Sequence, residues 1–283
     1  MQTSSLSTRI LHFVNTYSIW VALGSLITFS FVSVQFTKTI DWVVAVGFAI
    51  GIWFIYTFDH LLDGVKQGDK AVSVRHRKHF SQKKIILTLL VIAFTIELAL
   101  SFYVGLEYYR VIFLLVVLTV IHFIVNHWSS NKFKKRFFLK EVFIAFVVTV
   151  GFVVVPSIKG LHSYDKIVVL FAPLFFINLS NLLLFTLYDK EIDLATNTLS
   201  AASFYTDKQL GNVITSALIL GLLFVAIAVY TNFLGIPSML LFLSMIVSLF
   251  VINKNKEYFG LNDRYRFFGD LIYVYPVVIL PFL

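Results

Sequence analysis

The segment NLLLFTLYDKEID, residues 181–193, ends a long apolar run with two aspartates four positions apart. About 130 residues earlier, the segment YTFDHLLD, residues 56–63, ends another apolar run in the same way. The four aspartates are Asp59, Asp63, Asp189 and Asp193. Because positions i and i+4 are neighbours on one face of a helix, each segment predicts a membrane helix that ends in a pair of adjacent carboxylates.

The composition predicts that the whole chain lies in a membrane. Of its 283 residues, 59% are hydrophobic and 13% are charged, and the mean hydropathy is +0.87. Apolar runs of about 18 residues or more recur, and each is long enough to cross the ~30 Å hydrocarbon core of a bilayer. A membrane β-barrel would show alternating apolar and polar residues instead. We therefore predict an all-α polytopic membrane protein that forms a single domain over residues 1–283.

Nine membrane spans are predicted, and the last is a short one that contains Pro276 and Pro281. The second and sixth spans both end in the DxxxD pattern, which predicts two four-helix repeats followed by a ninth helix, by analogy with repeats in transporters. The predicted spans are residues 17–35, 40–57, 84–104, 110–126, 140–158, 166–188, 211–232, 237–253 and 267–283.

Basic residues set the predicted orientation. All of the 23 Lys and Arg residues lie in the N-terminal segment or in the loops after the even-numbered spans, with four exceptions. The exceptions are Lys38, Arg110, Lys159 and Lys166. The positive-inside rule then places the N-terminus and both aspartate pairs on the cytoplasmic side.

The same rule explains the net charge of +8, so no nucleic-acid partner is predicted. The chain has no cysteine, which excludes disulfides and thiolate metal sites. Its first residues lack a cleavable signal, and with no transit segment we expect a prokaryotic inner membrane.

Four carboxylates at one membrane surface predict a cation site. Adjacent carboxylates repel unless a cation lies between them, and oxygen ligands favour Mg²⁺, which binds one or two carboxylates together with substrate phosphates. We therefore predict that Asp59, Asp63, Asp189 and Asp193 bind Mg²⁺ and a diphosphate. Basic side chains that could bind phosphate oxygens are Arg75, Arg77, Lys134, Lys135, Arg136 and Lys140.

A diphosphate with a long apolar tail suits this position, and a polyprenyl diphosphate has that form. Loss of its diphosphate leaves an allylic carbocation, which aromatic faces can shield, and 17% of the residues are aromatic. A single DxxxD pair is typical of an ordinary solvated helix end. Two pairs on the same side of the membrane favour a shared site.

At these residues the chain resembles the UbiA superfamily of intramembrane prenyltransferases, over nearly its whole length. Asp59 and Asp63 match the aspartates of the family's NxxxDxxxD motif, although its asparagine is replaced by Ile55. Asp189 and Asp193 match the second motif, DxxxD. Further similarity is found at Lys135-Arg136 before the fifth span and at Asn197-Thr198-Leu199 after the second motif. Asn181 shares the helix face of Asp189 and could supply an amide to the site.

The resemblance implies that the four aspartates bind Mg²⁺ and prenyl diphosphate, and that an aromatic or other lipophilic acceptor is alkylated. Some members of the superfamily are terpene cyclases, which ionise the same diphosphate, so cyclisation is an alternative. A CDP-alcohol phosphotransferase is disfavoured, because the DxxDGxxAR pattern is absent. The acceptor, the length of the prenyl chain and the oligomeric state are not determined by these motifs.

Glu97, His122 and Asp270 are ionisable residues that lie within the apolar runs of predicted spans. Intramembrane charges usually face a cavity or a partner. Glu97 is either a protonated carboxyl between helices or a general base. For His122 a membrane-interface position is predicted, and Asp270 is either an ion-pair partner or a site residue. If the protein is a membrane transporter, Glu97 and Asp270 are the predicted coupling residues.

Overall fold

The computed structural model describes residues 13–128, 140–160, 164–196 and 200–282, and within these ranges it contains helices but no strand. The α-helices, numbered along the chain, are α1 Ile19–Thr37, α2 Trp42–Gln67, α3 Val74–Ser81, α4 Lys83–Ser101, α5 Leu106–Phe123, α6 Lys140–Ser157, α7 Tyr164–Tyr188, α8 Lys190–Ala195, α9 Asp207–Tyr230, α10 Ile236–Lys254, α11 Lys256–Gly260 and α12 Arg264–Leu271.

Nine helical segments of the described chain are long and apolar enough to cross a membrane. Eight of them are α1, α2, α4, α5, α6, α7, α9 and α10, and the ninth is the broken segment Lys256–Phe282. The prediction of an all-α integral membrane protein with nine spans is confirmed. The four-helix repeat stays a prediction, although α1 packs on α2 as α6 packs on α7.

The predicted end of the second span, at residue 57, is wrong. Helix α2 continues to Gln67, so both of its aspartates lie within the helix. The reason is a contact that the hydropathy does not show. The last turns bury His60, Leu61 and Gly64 and pack against the short helix α3, which folds back over them.

The ninth span is longer and less regular than predicted. It begins at Lys256 and is interrupted by a kink at Asn262, which has a positive φ of 54°. After α12 the backbone continues as a 3₁₀ helix over Ile272–Val278. Pro276 lies in this segment, and its missing N–H prevents the regular hydrogen bonding of an α-helix.

Helices α1, α6 and α7 form the centre of the bundle, since 56% of each span is buried. Only 17% of α4 and 11% of the α5 span are buried, so these two helices lie at the periphery. Their exposed Leu, Ile, Val and Phe side chains suit contact with lipid. The C-terminal ends of α2, α5 and α7 and the N-terminal ends of α6 and α12 lie together at one end of the bundle.

Candidate active site

The two aspartate pairs meet in one cavity at this end of the bundle. The cavity has a volume of about 230 Å³ and is lined by all four aspartates. It is also lined by Arg75 from α3, Lys140 from α6 and Arg266 from α12. Residues far apart in the chain are thus brought together, as the shared orientation of the two motifs predicted.

The first pair is carried by the continuous helix α2, with α3 packed against it. A Cβ atom added at Gly64 would lie only 2.6 Å from the backbone oxygen of His76, so the close approach of α3 depends on a glycine. This approach places Arg75 at the cavity and His76 Nε2 3.9 Å from Asp63 Oδ2. Burial and the Arg75 charge lower the pKa of His76 to about 4, so His76 is neutral at pH 7 and its contact with Asp63 is not an ion pair.

The second pair is carried by a broken helix. Helix α7 ends at Tyr188, Asp189 lies at the bend, and Asp193 lies in the short helix α8. The Asp193 amide donates to the Asp189 carbonyl at 2.8 Å, which keeps the helical i+4 relation across the bend. Burial, together with the nearby Asp189 charge, raises the pKa of Asp193 to about 6.

Glu141, at the start of α6, holds the chain that follows α8. Its Oε1 accepts hydrogen bonds from the Ala201 amide at 2.9 Å and from the Thr186 hydroxyl at 3.3 Å. The Glu141 side chain is buried, and it lines the cavity as well. It therefore links α6, α7 and the segment beyond the second aspartate pair.

The cations of the site are close enough to influence each other. Arg266 forms an ion pair with Asp189, and the Tyr265 hydroxyl donates to Asp189 Oδ1 at 2.5 Å. Burial and the charge of Arg266 lower the pKa of Arg75 to about 10, so Arg75 keeps its positive charge at neutral pH. Two guanidinium groups directed at one cavity favour an anionic ligand.

Six of the ten predicted site residues line the cavity, two described residues do not, and two lie outside the described residues. Those that line it are Asp59, Asp63, Asp189, Asp193, Arg75 and Lys140. Arg77 lies on the exposed side of α3. Asn181 is buried in the bundle, where a Cβ atom added at Gly269 would lie 2.6 Å from its Oδ1. Lys135 and Arg136 lie outside the described residues, as do Lys134 and residues 197–199.

Sequence reasoning missed several lining residues. Arg266 belongs to no motif, although its place at the start of the last span puts it at the same end as both aspartate pairs. Glu141, His60 and His76 directly follow Lys140, Asp59 and Arg75 in the chain, and that adjacency was the available signal. His122, predicted at the membrane interface, also lines the cavity. Its ring stacks on that of Phe143, with the ring centroids 6.2 Å apart.

The carboxylates suit a metal ion whose remaining coordination positions are filled by a bound ligand. Within the described residues, no three His, Asp or Glu side chains lie close enough to hold a metal ion by themselves. Mg²⁺ does not need such a cage, because it binds through one or two carboxylates plus water and substrate phosphates. The four aspartates, with cationic side chains around them, fit a Mg²⁺–diphosphate complex better than a bare metal ion.

The other two intramembrane carboxyl groups lie in different surroundings. Glu97 on α4 packs against α2, where a Cβ atom added at Gly47 would lie 3.5 Å from its Oε2. Asp270 on α12 interacts electrostatically with Arg266 and Arg75. The structure thus places Asp270 near the cations of the site and Glu97 at a helix–helix contact.

The fold is similar to that of solved UbiA homologues. One is the apo structure of a UbiA homolog from Aeropyrum pernix K1, with a TM-score of 0.68 and 10% sequence identity over 93% of this chain and 98% of that one. A UbiA homolog from Archaeoglobus fulgidus bound to DMAPP and Mg²⁺ gives a TM-score of 0.64 and 13% identity, over 96% and 99% of the two chains. A UbiA homolog from Archaeoglobus fulgidus bound to GPP and Mg²⁺ also gives a TM-score of 0.64 and 13% identity, over 95% of this chain and 99% of that one.

Sequence comparison gives no corresponding match: no protein-family model and no curated protein matches the chain. The similarity therefore lies in the arrangement of helices, and at this level of identity it establishes the fold.

Proposed function

Since this chain has the fold of the UbiA homologues, we propose that it is a Mg²⁺-dependent intramembrane prenyltransferase. It ionises a polyprenyl diphosphate and transfers the prenyl chain to an aromatic or other lipophilic acceptor. The observation that carries the proposal is the convergence of both DxxxD pairs, with Arg75 and Lys140, on one cavity. The Archaeoglobus homologue with DMAPP or GPP and Mg²⁺ supports the same class of ligand.

In this proposal the chain's own residues hold the charged head of the substrate. Asp59, Asp63, Asp189 and Asp193 provide the oxygen ligands, and Arg75 and Lys140 donate hydrogen bonds to the phosphate oxygens. Held by these aspartates together with the diphosphate, Mg²⁺ would neutralise the negative charge that grows on the leaving group. Positive side chains fixed at this place stabilise the same charge without reorganisation.

The bond that breaks joins the allylic carbon to the bridging diphosphate oxygen, and its electron pair leaves with the diphosphate. The aromatic rings of Tyr56, Phe123 and Phe185 line the cavity and can shield the allylic cation. The acceptor then supplies an electron pair for the new bond and loses one proton. Exclusion of water from the apolar part of the cavity keeps water from capturing the cation.

The cavity opens at the end of the bundle that the basic loops predict to be cytoplasmic, and we place the reaction there. The chain has no cysteine, so single cysteines introduced for Asp69 and for Tyr230 can report the side of each loop. In intact bacterial cells we expect an impermeant maleimide to label the second position and not the first. The reverse pattern would invert the proposed topology.

The proposed function can be tested with purified protein in detergent, Mg²⁺ and a panel of prenyl diphosphates. Diphosphate release is followed with and without lipid-extract acceptors, and Asp59→Ala and Asp189→Ala are measured alongside. We expect release by the wild type that disappears in both variants and after chelation of Mg²⁺. Release that does not depend on any acceptor would identify a cyclase. If the wild type neither releases nor binds any of these diphosphates, the prenyltransferase proposal is wrong. The membrane-transporter alternative then gains support if transport depends on Glu97 or Asp270.

A further inference from the structure

Arg266 holds one of the four site aspartates. Its Nη2 donates to Asp189 Oδ2, and its Nε donates to the Tyr265 hydroxyl at 3.0 Å. The Tyr265 hydroxyl in turn donates to Asp189 Oδ1 at 2.5 Å. Both oxygens of this carboxylate are therefore engaged by neighbouring residues of α12.

The pair faces the cavity. Arg266 and Asp189 both line it, and their side chains are 18% and 14% exposed, which is too little for a solvated surface pair. Tyr265 is fixed more firmly, because its ring stacks on that of Tyr188 with centroids 4.4 Å apart and planes 5° from parallel. The Tyr265 side of this contact is thus rigid.

A carboxylate that is neutralised by a guanidinium is a poor metal ligand. The site nevertheless has a second anion to accept, since a diphosphate brings several negative oxygens into the same cavity. A guanidinium presents a planar fork of donors that matches phosphate oxygens as well as it matches a carboxylate. Moving Arg266 from Asp189 to the diphosphate therefore keeps the guanidinium paired and releases the carboxylate for the metal ion.

We propose that Arg266 is a substrate-binding residue that exchanges partners, leaving the Asp189 carboxylate for the diphosphate when the diphosphate binds. The inference rests on the proposed function and adds a specific residue to it. It also couples the two ligands: the metal ion binds Asp189 well only when a diphosphate has taken over the guanidinium.

The exchange makes the two affinities respond in opposite directions when Arg266 is changed. In Arg266→Gln, Mn²⁺ alone, followed by electron paramagnetic resonance, is expected to bind several-fold more tightly, because Asp189 is no longer paired. Inorganic diphosphate with Mg²⁺, followed by calorimetry, is expected to bind about ten- to a hundredfold more weakly, because charged hydrogen bonds to it are lost. Arg266→Lys keeps the positive charge but lacks the planar donor geometry of the guanidinium. It is expected to show an intermediate loss of diphosphate affinity.

Arg264→Gln is the matched control. Arg264 lies on the same helix, with its guanidinium 4.5 Å from the centre of the Tyr258 ring, and does not line the cavity. We expect both affinities to stay within about twofold of the wild type, inside the usual range of surface substitutions.

The outcomes separate the inference from the function that it rests on. If the wild type binds diphosphate and Arg266→Gln binds it equally well, or if both affinities of that variant fall together, the exchange is wrong while the proposed function stands. Should Arg266→Gln fail to fold, Arg266→Lys decides, and unchanged diphosphate affinity in that variant overturns the inference. A wild type that binds no diphosphate in the presence of Mg²⁺ overturns the proposed function and the inference together.

Discussion

The two DxxxD pairs have the same spacing but are built differently. Asp59 and Asp63 lie one turn apart on the unbroken helix α2, which α3 supports from outside. Asp189 and Asp193 lie on two pieces of a broken helix, and α12 holds the first of them through Arg266 and Tyr265. Equal motifs therefore do not imply equal carboxylates: the first pair is positioned by its own helix and the second by its tertiary neighbours.

The largest expected effect concerns turnover. Asp59→Asn and Asp189→Asn are each expected to lower kcat/KM for diphosphate release by about 10²–10³-fold, the size of effect seen when a group that stabilises developing charge is removed. Without diphosphate the two should differ: Mn²⁺ affinity falls in Asp59→Asn but hardly changes in Asp189→Asn, because Arg266 already neutralises Asp189.

Asp69→Asn is the control for this comparison, since Asp69 is exposed directly after α2. Its kcat/KM is expected to stay within about twofold of the wild type. Equal losses of Mn²⁺ affinity in Asp59→Asn and Asp189→Asn would show that the two pairs are equivalent.

A smaller effect is expected on α3, which supports the first pair. Arg75 lines the cavity, and Arg77, two positions later, lies on the exposed side of the helix. Arg75→Gln should lower kcat/KM by about ten- to a hundredfold, because hydrogen bonds from a charged donor to the diphosphate are lost. Arg77→Gln should change it by less than about twofold. Steady-state kinetics of both variants checks the assignment, and a larger loss in Arg77→Gln would reverse the roles.

The glycine contact between α2 and α3 can be tested through stability. Alanine at Gly64 would place a Cβ atom 2.6 Å from the His76 carbonyl oxygen, whereas a Cβ atom at Gly51 on the same helix has no neighbour within 4 Å. Gly64→Ala is expected to destabilise the fold by about 1–3 kcal/mol. Gly51→Ala should be neutral or slightly stabilising. Thermal unfolding followed by tryptophan fluorescence measures both, and equal melting temperatures would contradict the close packing of α3.

The smallest expected effect is a pH dependence at the second pair. Because the pKa of Asp193 is raised to about 6 in the folded chain, folding takes up a proton between about pH 4 and pH 6. The stabilisation is present at the acidic end of this window and is lost as the pH rises through the folded pKa. In a chelator at pH 7, Asp193→Asn should therefore be more stable than the wild type by about 1–2 kcal/mol, and the difference should shrink toward pH 4.

Melting temperatures of Asp193→Asn and wild type across this range provide the measurement, with an expected gain of about 2–4 °C per kcal/mol at pH 7. Asp69→Asn again serves as the control and should show no such gain. A constant difference between Asp193→Asn and the wild type at every pH would mean that Asp193 does not titrate in this window.

Much of the architecture followed from hydropathy and charge alone. Most predicted spans agree with the helices within a few residues, because a bilayer requires a continuous apolar run of fixed length. The end of α2 was misplaced for the opposite reason. Beyond residue 57 the helix is held by contact with α3, and such a contact leaves no trace in local hydropathy.

The candidate site was only partly predictable. The four aspartates and two of the cations could be found, because residues at the ends of spans on the same side of a membrane are confined to one surface. The remaining partners required the folded chain. Arg266 and Glu141 approach the second pair from α12 and α6, and neither carries a spacing pattern that links it to Asp189 or Asp193.

The sequence by itself determined the class of this protein: a nine-span helical membrane protein with paired carboxylates at one end, since the bilayer fixes length, apolarity and the distribution of charge. Only the tertiary structure decided which carboxylates and cations share a cavity and that Asp189 is paired with Arg266. The physical reason is the distance along the sequence over which each signal acts. Hydropathy and helical spacing act between neighbours in the chain, whereas the cavity depends on helices that are distant in sequence and packed side by side.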